Sequence, residues 1–298
     1  MNKQTFLTLL ATFVLLFSFT FSCSAKGKDK AKHVVFIGLD GWGAYSLPKA
    51  DMPNVKKLME DGSYTLKKRS ALPSSSAINW ASMFMGAGPE LHGYTEWGSK
   101  TPELPSRVLN KNGIFPTVFQ LLRDARPEAE IGCLYEWEGI KYLVDTLSLN
   151  YHYHVADCNK TPKELGNMSS SYIKEKHPAL VAICFDGPDH TGHTEGHDTP
   201  AYYEKLKELD SYVGQIVQAV KDAGMLDDTI FILTSDHGGI DKGHGGKTMQ
   251  EMETAFIISG KNIKKGLRFD DVSMMQYDVA STIACIFNLE QPQVWIGR

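Results

Sequence analysis

The chain has 298 residues, with 31 Lys and Arg against 35 Asp and Glu, a formal net charge of −4 and 42% hydrophobic residues. This slightly acidic balance leaves no basic surface for a nucleic-acid duplex, and a charged share of 22% is ordinary for a globular chain. The length suits one large α/β domain with a substantial core.

Lys3, the uncharged and mostly apolar run from Phe6 to Phe21, and then Cys23-Ser24-Ala25 read as a signal peptide over residues 1–25, cleaved after Ala25. That run is about 16 residues, short of the roughly 20 that span a bilayer. Cys23 offers a second reading, the lipidated cysteine of a bacterial lipoprotein, which would be the chain's route to a membrane. Both readings make the protein exported, to the periplasm or the medium. Residues 26–32, KGKDKAK, read as a basic solvated tether, and 33–298 as a single catalytic domain.

From there strands and helices alternate. Residues 33–39 form a buried strand ending at Asp40, 53–60 a short helix, and 64–71 a strand. Residues 77–85 are helical, with Ser74 to Ser76 as the capping region. An amphipathic helix over 115–124 stops before Pro127, and 130–135 is strand-like. A helix over 161–176, a buried strand over 179–185 and the longest helix, 199–223, come next, with Gly224 beyond that helix. Strands at 229–234 and 254–259 and a closing helix at 274–287 complete the pattern. Such alternation gives a largely parallel sheet covered on both faces. Cys133, Cys158, Cys184 and Cys285 remain after cleavage, and none has CxxC spacing, so a cysteine zinc site is not indicated. Cys133 and Cys184 fall in apolar strands, where buried thiols are common; export permits disulfides without specifying their pairing.

Six candidate metal ligands stand where strands end: Asp40 in GLDG, Asp189 and His193 in PDHTGH, Asp236 and His237 in SDHGG, and His244 in KGHGG. Open α/β sheets bind ligands at that carboxyl edge, so residues distant in sequence can meet there. Three Asp and three His suit two divalent ions, most simply two Zn²⁺, with Mn²⁺ the alternative. Adjacent strand residues point oppositely, but the Gly-rich end after His237 lets both Asp236 and His237 turn inward. Asp189 and His193 read as parts of one Gly-containing loop. Ser76, at a helix start, is the candidate nucleophile, where backbone N–H groups and the helix dipole favour phosphate oxygens; Ser75 is the fallback. Taken singly, each of these residues is as well explained by a cap or a hydrogen-bonded loop; their joint occurrence is what indicates chemistry.

The segments VVFIGLDG, LPSSSAINWASMFMGAGPELHG, ICFDGPDHTGHTEGH, ILTSDHGGIDKGHGG and QYDVASTIACIFNLEQP together resemble the alkaline phosphatase superfamily, and most closely its nucleotide pyrophosphatase/phosphodiesterase branch. The resemblance implies an alkaline phosphatase-like three-layer sandwich. It implies one zinc on Asp189, His193 and His244, and another on Asp40, Asp236 and His237 with Ser76 Oγ completing its shell. It also implies a covalent phosphoserine at Ser76, with Asn79 three residues on as a site residue. Where that branch places an amide that donates to a phosphate oxygen, this chain has Trp97; Asn79 or Lys100 is the candidate substitute. Lys100 would bring the positive charge that suits a monoester, and an exposed loop lysine is the plain alternative.

His190 and His197 flank the metal segment as outer donors or loop residues, and His92 reads as structural. Tyr135, Trp137, Tyr151 and Tyr153 could line a base or aryl pocket, or simply pack. The leading expectation is a dizinc phosphodiesterase or nucleotide pyrophosphatase acting on a small phosphorylated substrate such as a nucleotide. A phosphomonoesterase on the same scaffold is the nearest rival. A sulfatase is disfavoured because the Cys or Ser, x-Pro-x-Arg pattern is missing around Ser74 to Ser76. A noncatalytic binding protein would be expected to lack one of these seven positions, and all are filled.

Overall fold

Four apolar runs build the middle of the molecule: β1 (His33–Leu39), β3 (Ile131–Tyr135), β5 (Leu180–Phe185) and β6 (Thr229–Thr234). Their side chains alternate between two buried faces, as central strands require. Val34, Phe36, Ala182, Cys184 and Ile232 pack on one side, and Val35, Ile37, Val181, Ile183 and Leu233 on the other. Completing the sheet are β2 (Gly62–Arg69), β4 (Tyr151–His154), β7 (Glu253–Gly260) and β8 (Leu267–Arg268). The eight strands run in the order β4-β3-β5-β1-β6-β7-β2-β8. β3, β4, β5, β1 and β6 pair in parallel, whereas β7 runs antiparallel to both β6 and β2. The sheet is thus largely parallel, as the alternation implies, with one reversed strand.

Helices cover both faces. On one side lie α1 (Pro53–Glu60), α5 (Thr161–Lys176) and α7 (Pro200–Asp222). On the other lie α2 (Ser76–Met85), α4 (Val118–Ala125) and α9 (Asp278–Phe287). The short α3 (Pro89–His92), α6 (Asp189–Glu195) and α8 (Met249–Met252) sit in the connections. α7 shows how the ends are set: the Thr199 hydroxyl accepts from the Tyr202 N–H, and Pro200 opens the helix where its missing N–H costs nothing. Apolar residues along it, including Leu206, Leu209, Val213, Ile216 and Val220, then bury one face at helical spacing.

The computed structural model describes residues 30–156 and 161–298, and the residues from Ala31 to Arg298 form one compact unit. The expected signal peptide, the lipidation site at Cys23, the first part of the tether and Cys158 lie outside the described residues. Ala31 is already buried in the core and Lys32 pairs with Asp228 at 2.7 Å, so the fold takes in the last residues assigned to the tether. Cys133 and Cys184 are buried free thiols and Cys285 is an exposed one. Among the described residues no helix is long and apolar enough to cross a membrane.

Candidate active site

β1 lies between β5 and β6, and their carboxyl ends are level: Leu39 pairs with Phe185 and Gly38 with Thr234. Asp40 follows β1, Asp236 follows β6, and Asp189 opens α6 just beyond β5, so three carboxylates reach one place from three neighbouring strands. Gly41 permits this closeness. It takes a φ of +68°, and a Cβ there would come within 2.6 Å of the Asp189 Cβ. The Asp189 N–H donates to the Asp40 carbonyl at 3.0 Å, locking the two segments together.

The segment holding Asp189 and His193 is a helical turn rather than the loop read from its sequence. Residues four apart on a helix share a face, and the Asp189 Oδ2 to His193 Nε2 distance is 3.1 Å. His244 Nε2 lies 3.2 Å from His193 Nε2 and 3.7 Å from Asp189 Oδ2. On the other side, His237 Nε2 lies 3.2 Å from Asp236 Oδ2, 3.4 Å from Asp40 Oδ1 and 3.1 Å from Ser76 Oγ. The six ligand candidates and Ser76 therefore converge. Asp189, His193 and His244 form one three-ligand group, and Asp189 also groups with Asp40 and His237. The resemblance gives Asp189 to one ion; its carboxylate is within reach of both positions.

The donor chemistry fits divalent cations. Each of the three imidazoles has Nδ1 against a backbone carbonyl: His237 against Gly238 at 2.7 Å, His193 against Lys242 at 2.9 Å and His244 against Ser74 at 3.1 Å. With Nδ1–H donating outward, a neutral imidazole has its Nε2 lone pair available inward, the arrangement of a metal-bound histidine; His193 Nε2 here instead faces Asp189 Oδ2 at 3.1 Å. Asp40 is held by the Trp80 indole N–H at 2.9 Å through Oδ2, and Asp236 by the Gly41 N–H at 3.1 Å through Oδ1. The inward atoms Asp40 Oδ1 and Asp236 Oδ2 are buried with no hydrogen-bond partner among the described residues. Buried carboxylate oxygens of that kind call for a cation.

Electrostatics agree. Burial, then Asp189, pushes Asp236 up to about 7, and burial with Asp236 and Asp189 nearby raises Asp40 well above the carboxylate range. Burial also pulls His244 down to about 4, which keeps it neutral near pH 7, and lowers His237. Hydrogen bonding to Asp189 raises His193 to about 9. For Asp189 burial acts upward, but the hydrogen bonds from His193 and His197 outweigh it and hold the carboxyl low. For both Asp40 and Asp236, burial and the neighbouring carboxylates outweigh the hydrogen bonds that oppose them.

A cavity of about 170 Å³ opens on this cluster. Asp40, Ser76, Asp189, His193 and His244 line it together with Trp97, Trp137, Asp186 and His190. Trp97 is 68% exposed, and its carbonyl accepts the Ala77 N–H at 3.2 Å. One of the backbone donors expected to face phosphate at the start of α2 is therefore engaged by the protein itself.

Two expected site residues stand elsewhere. Asn79 is fully buried: its Oδ1 accepts from the Ala71 N–H at 2.7 Å, and its Nδ2 donates to the carbonyls of Ala71, Pro73 and Ser75 at 3.2, 3.1 and 3.0 Å. An amide so committed holds the turn that presents Ser76 and has no donor left for substrate. Asn79→Ala is expected to cost about 2–4 kcal/mol, seen as a fall in Tm of roughly 5–10 °C; an unchanged Tm would contradict that role. Lys100 carries its ammonium 5.6 Å from the Tyr142 ring centre and does not line the cavity. Ser75 is the N-cap of α2 and makes no side-chain cap bond.

Of the aromatic candidates only Trp137 lines the cavity; Tyr135 is buried, and Tyr151 stacks on Tyr172 with ring centres 5.1 Å apart. His92 is buried and accepts from the Tyr94 N–H at 3.1 Å, in keeping with a structural role. His197 is more than loop decoration. Its ring is buried, with Nε2 3.4 Å from Asp189 Oδ1. Lys68, which nothing in the sequence singles out, is fully buried behind Asp236, and burial lowers it to about 7 against the pull of Asp236 and Asp278.

A sheet of this order with an Asp/His cluster and a serine helix at its carboxyl edge defines an alkaline phosphatase-like protein. The chain belongs to the type I phosphodiesterase / nucleotide pyrophosphatase family, whose profile matches residues 34–263. It is 25% identical over 222 residues to the mouse bis(5'-adenosyl)-triphosphatase enpp4, covering 70% of this chain and 48% of that protein. Fission yeast (Schizosaccharomyces pombe) GPI ethanolamine phosphate transferase 3 is 29% identical over 122 residues, 40% of this chain and 13% of the transferase. The chain thus spans about half the length of the enpp4 relative, at 48%. Among solved structures, murine ectonucleotide pyrophosphatase/phosphodiesterase 5, an inactive form in complex with AMP, superposes with a TM-score of 0.70 at 15% identity, covering 88% of this chain and 96% of that one. A 2-O GAG sulfatase gives a TM-score of 0.74 at 14% identity, over 90% and 73% of the two chains. At such identities these two likenesses establish the shared fold.

Proposed function

We propose that this chain is a dizinc phosphodiesterase that works through a covalent intermediate on Ser76. The observation that carries this reading is the convergence of six inward-facing ligand atoms beside a serine hydroxyl, with Ser76 Oγ 3.1 Å from His237 Nε2. Two divalent cations held by these side chains would supply the Lewis acidity that makes a serine oxygen nucleophilic near neutral pH and offsets charge on the phosphate. The protein's own part is positional. Asn79 fixes the turn before α2, the turn sets Ser76, and Ser76 Oγ forms its bond to phosphorus as the bond to the leaving oxygen breaks. Water then cleaves the seryl ester and returns the hydroxyl. Trp97 and Trp137 would wall the non-reacting ester group.

Charge supports a diester over a monoester. Among the described residues no lysine or arginine lines the cavity, whose lining carries Asp40, Asp186 and Asp189. A diester brings one negative charge, a monoester dianion two, and only the second calls for an added cation such as Lys100. The tryptophans suit a flat or apolar group, such as a nucleoside.

The test compares bis-p-nitrophenyl phosphate, p-nitrophenyl phosphate and p-nitrophenyl sulfate with the zinc-loaded protein. The diester is expected to have the highest kcat/KM by at least tenfold. Preference for the monoester would overturn the diesterase assignment, and no turnover of any of the three with zinc bound would overturn the enzymatic one.

A further inference from the structure

Asp236 and His237 are consecutive, yet both present their ligand atoms to the same point. In an extended strand they would face opposite ways. The sequence attributes the exception to the glycines that follow. The structure shows a more specific cause: the carbonyls on either side of Asp236 are gripped from behind.

Lys68 Nζ donates to the Ser235 carbonyl at 2.8 Å and also to Gln276 Oε1. Gln276 Nε2 donates to that same carbonyl at 3.1 Å and to the Asp236 carbonyl at 2.7 Å. Ser70 Oγ donates to the Asp236 carbonyl at 2.8 Å. Each carbonyl therefore takes two side-chain donors, which fixes the planes of the two successive peptides. Fixing those planes sets the direction in which the Asp236 and His237 side chains leave the backbone. Lys68, Ser70 and Gln276 are all buried. Lys68 is the one lysine or arginine in the buried set of described residues, and its ammonium donates to the neutral Ser235 carbonyl and Gln276 Oε1. Burying an ammonium costs several kcal/mol, so its place behind a ligand pair calls for a purpose.

We propose that Lys68 and Gln276 are positioning residues for the Asp236–His237 pair and set the affinity of the metal position those two build. The inference rests on the two-metal reading above. It also makes a claim that reading does not: the dependence is confined to one of the two positions. Asp189, His193 and His244 are presented by α6 and by the loop before α8, neither of which Lys68 or Gln276 touches through the hydrogen bonds described.

Zinc titration of the metal-free protein by calorimetry, with a chelator competitor for the tighter equivalent, tests this. Wild type is expected to take up two equivalents. In Lys68→Met and Gln276→Met one equivalent should weaken by about 10–100-fold, the usual effect of losing a partner behind a ligand, while the other stays within about threefold. Ser70→Ala, a milder change, should weaken the same equivalent by less. Circular dichroism below each variant's Tm establishes that the protein titrated is folded. Should Lys68→Met not fold, Gln276→Met and Ser70→Ala carry the test. Two unaltered equivalents in folded variants, or equal weakening of both, would overturn the positioning role. A wild-type protein that binds no zinc would instead overturn the metal reading itself.

Discussion

Ser76→Ala is expected to lower kcat for the preferred ester by about 10³-fold or more, because removing a nucleophile removes the covalent route and leaves only binding and electrostatics. Zinc content should stay near the wild-type value, since the Asp and His side chains would still supply three ligands to each ion once Ser76 Oγ, 3.1 Å from His237 Nε2, is removed. The control is Ser75→Ala. Ser75 makes no cap bond, and its loss should change kcat only severalfold. Acid quenching of wild-type turnover of the diester followed by peptide mass spectrometry should place, on the peptide holding Ser76, a phosphoryl adduct that still carries the non-reacting ester group. Full activity in Ser76→Ala, or an adduct on Ser75, would refute the assignment.

Exhaustive chelation with EDTA is expected to abolish activity and also to destabilise the fold. Asp40, Asp189 and Asp236 are buried together. Asp40 Oδ1 and Asp236 Oδ2 have no hydrogen-bond partner among the described residues. Any ion that binds the folded chain and not the unfolded one stabilises by mass action, about 2.7 kcal/mol at a free concentration 100 times its Kd. For a chain of this size that corresponds to a fall in Tm of roughly 5–10 °C for each ion removed. The measurement is differential scanning fluorimetry, with elemental analysis to establish removal and Zn²⁺ or Mn²⁺ added back in separate arms. Unchanged activity and Tm in verified metal-free protein would defeat the metal-dependent reading.

Much of the fold could be read from the sequence because its central strands are buried on both faces and so appear as unbroken apolar runs. β1 and β6 fall where the runs fall, and with them Asp40 and Asp236. Elements whose burial is partial were harder to see. β4, with the sequence YHYH, is a half-exposed outer strand, and β8 is only two residues. α6 was hidden by composition: Gly192 and two histidines in DHTGHTE weaken any helical signal, although the spacing from Asp189 to His193 is one helical turn.

Site residues divided along similar lines. Ligands that differ chemically from their apolar surroundings stood out, whereas residues acting through the backbone did not. Asn79 looked like substrate-binding chemistry because its position matches a family pattern, and its role in the turn needs the carbonyls of Ala71, Pro73 and Ser75 to be seen. Lys68 sits in KKR, which reads as a solvated edge. Its burial depends on Gln276, 208 positions away, and no local pattern announces such a contact.

The topology keeps two jobs on separate pieces of chain. Five of the six ligands follow β1, β5 and β6 at the middle of the sheet and His244 stands on the loop before α8, while Trp97 and Trp137 come from the connection after α3 and the segment after β3. Exchanging those two connections would reshape the rim of the cavity without replacing any of the six Asp and His side chains, and only the Trp97 carbonyl, which holds the Ala77 N–H, would tie the exchange to the start of α2.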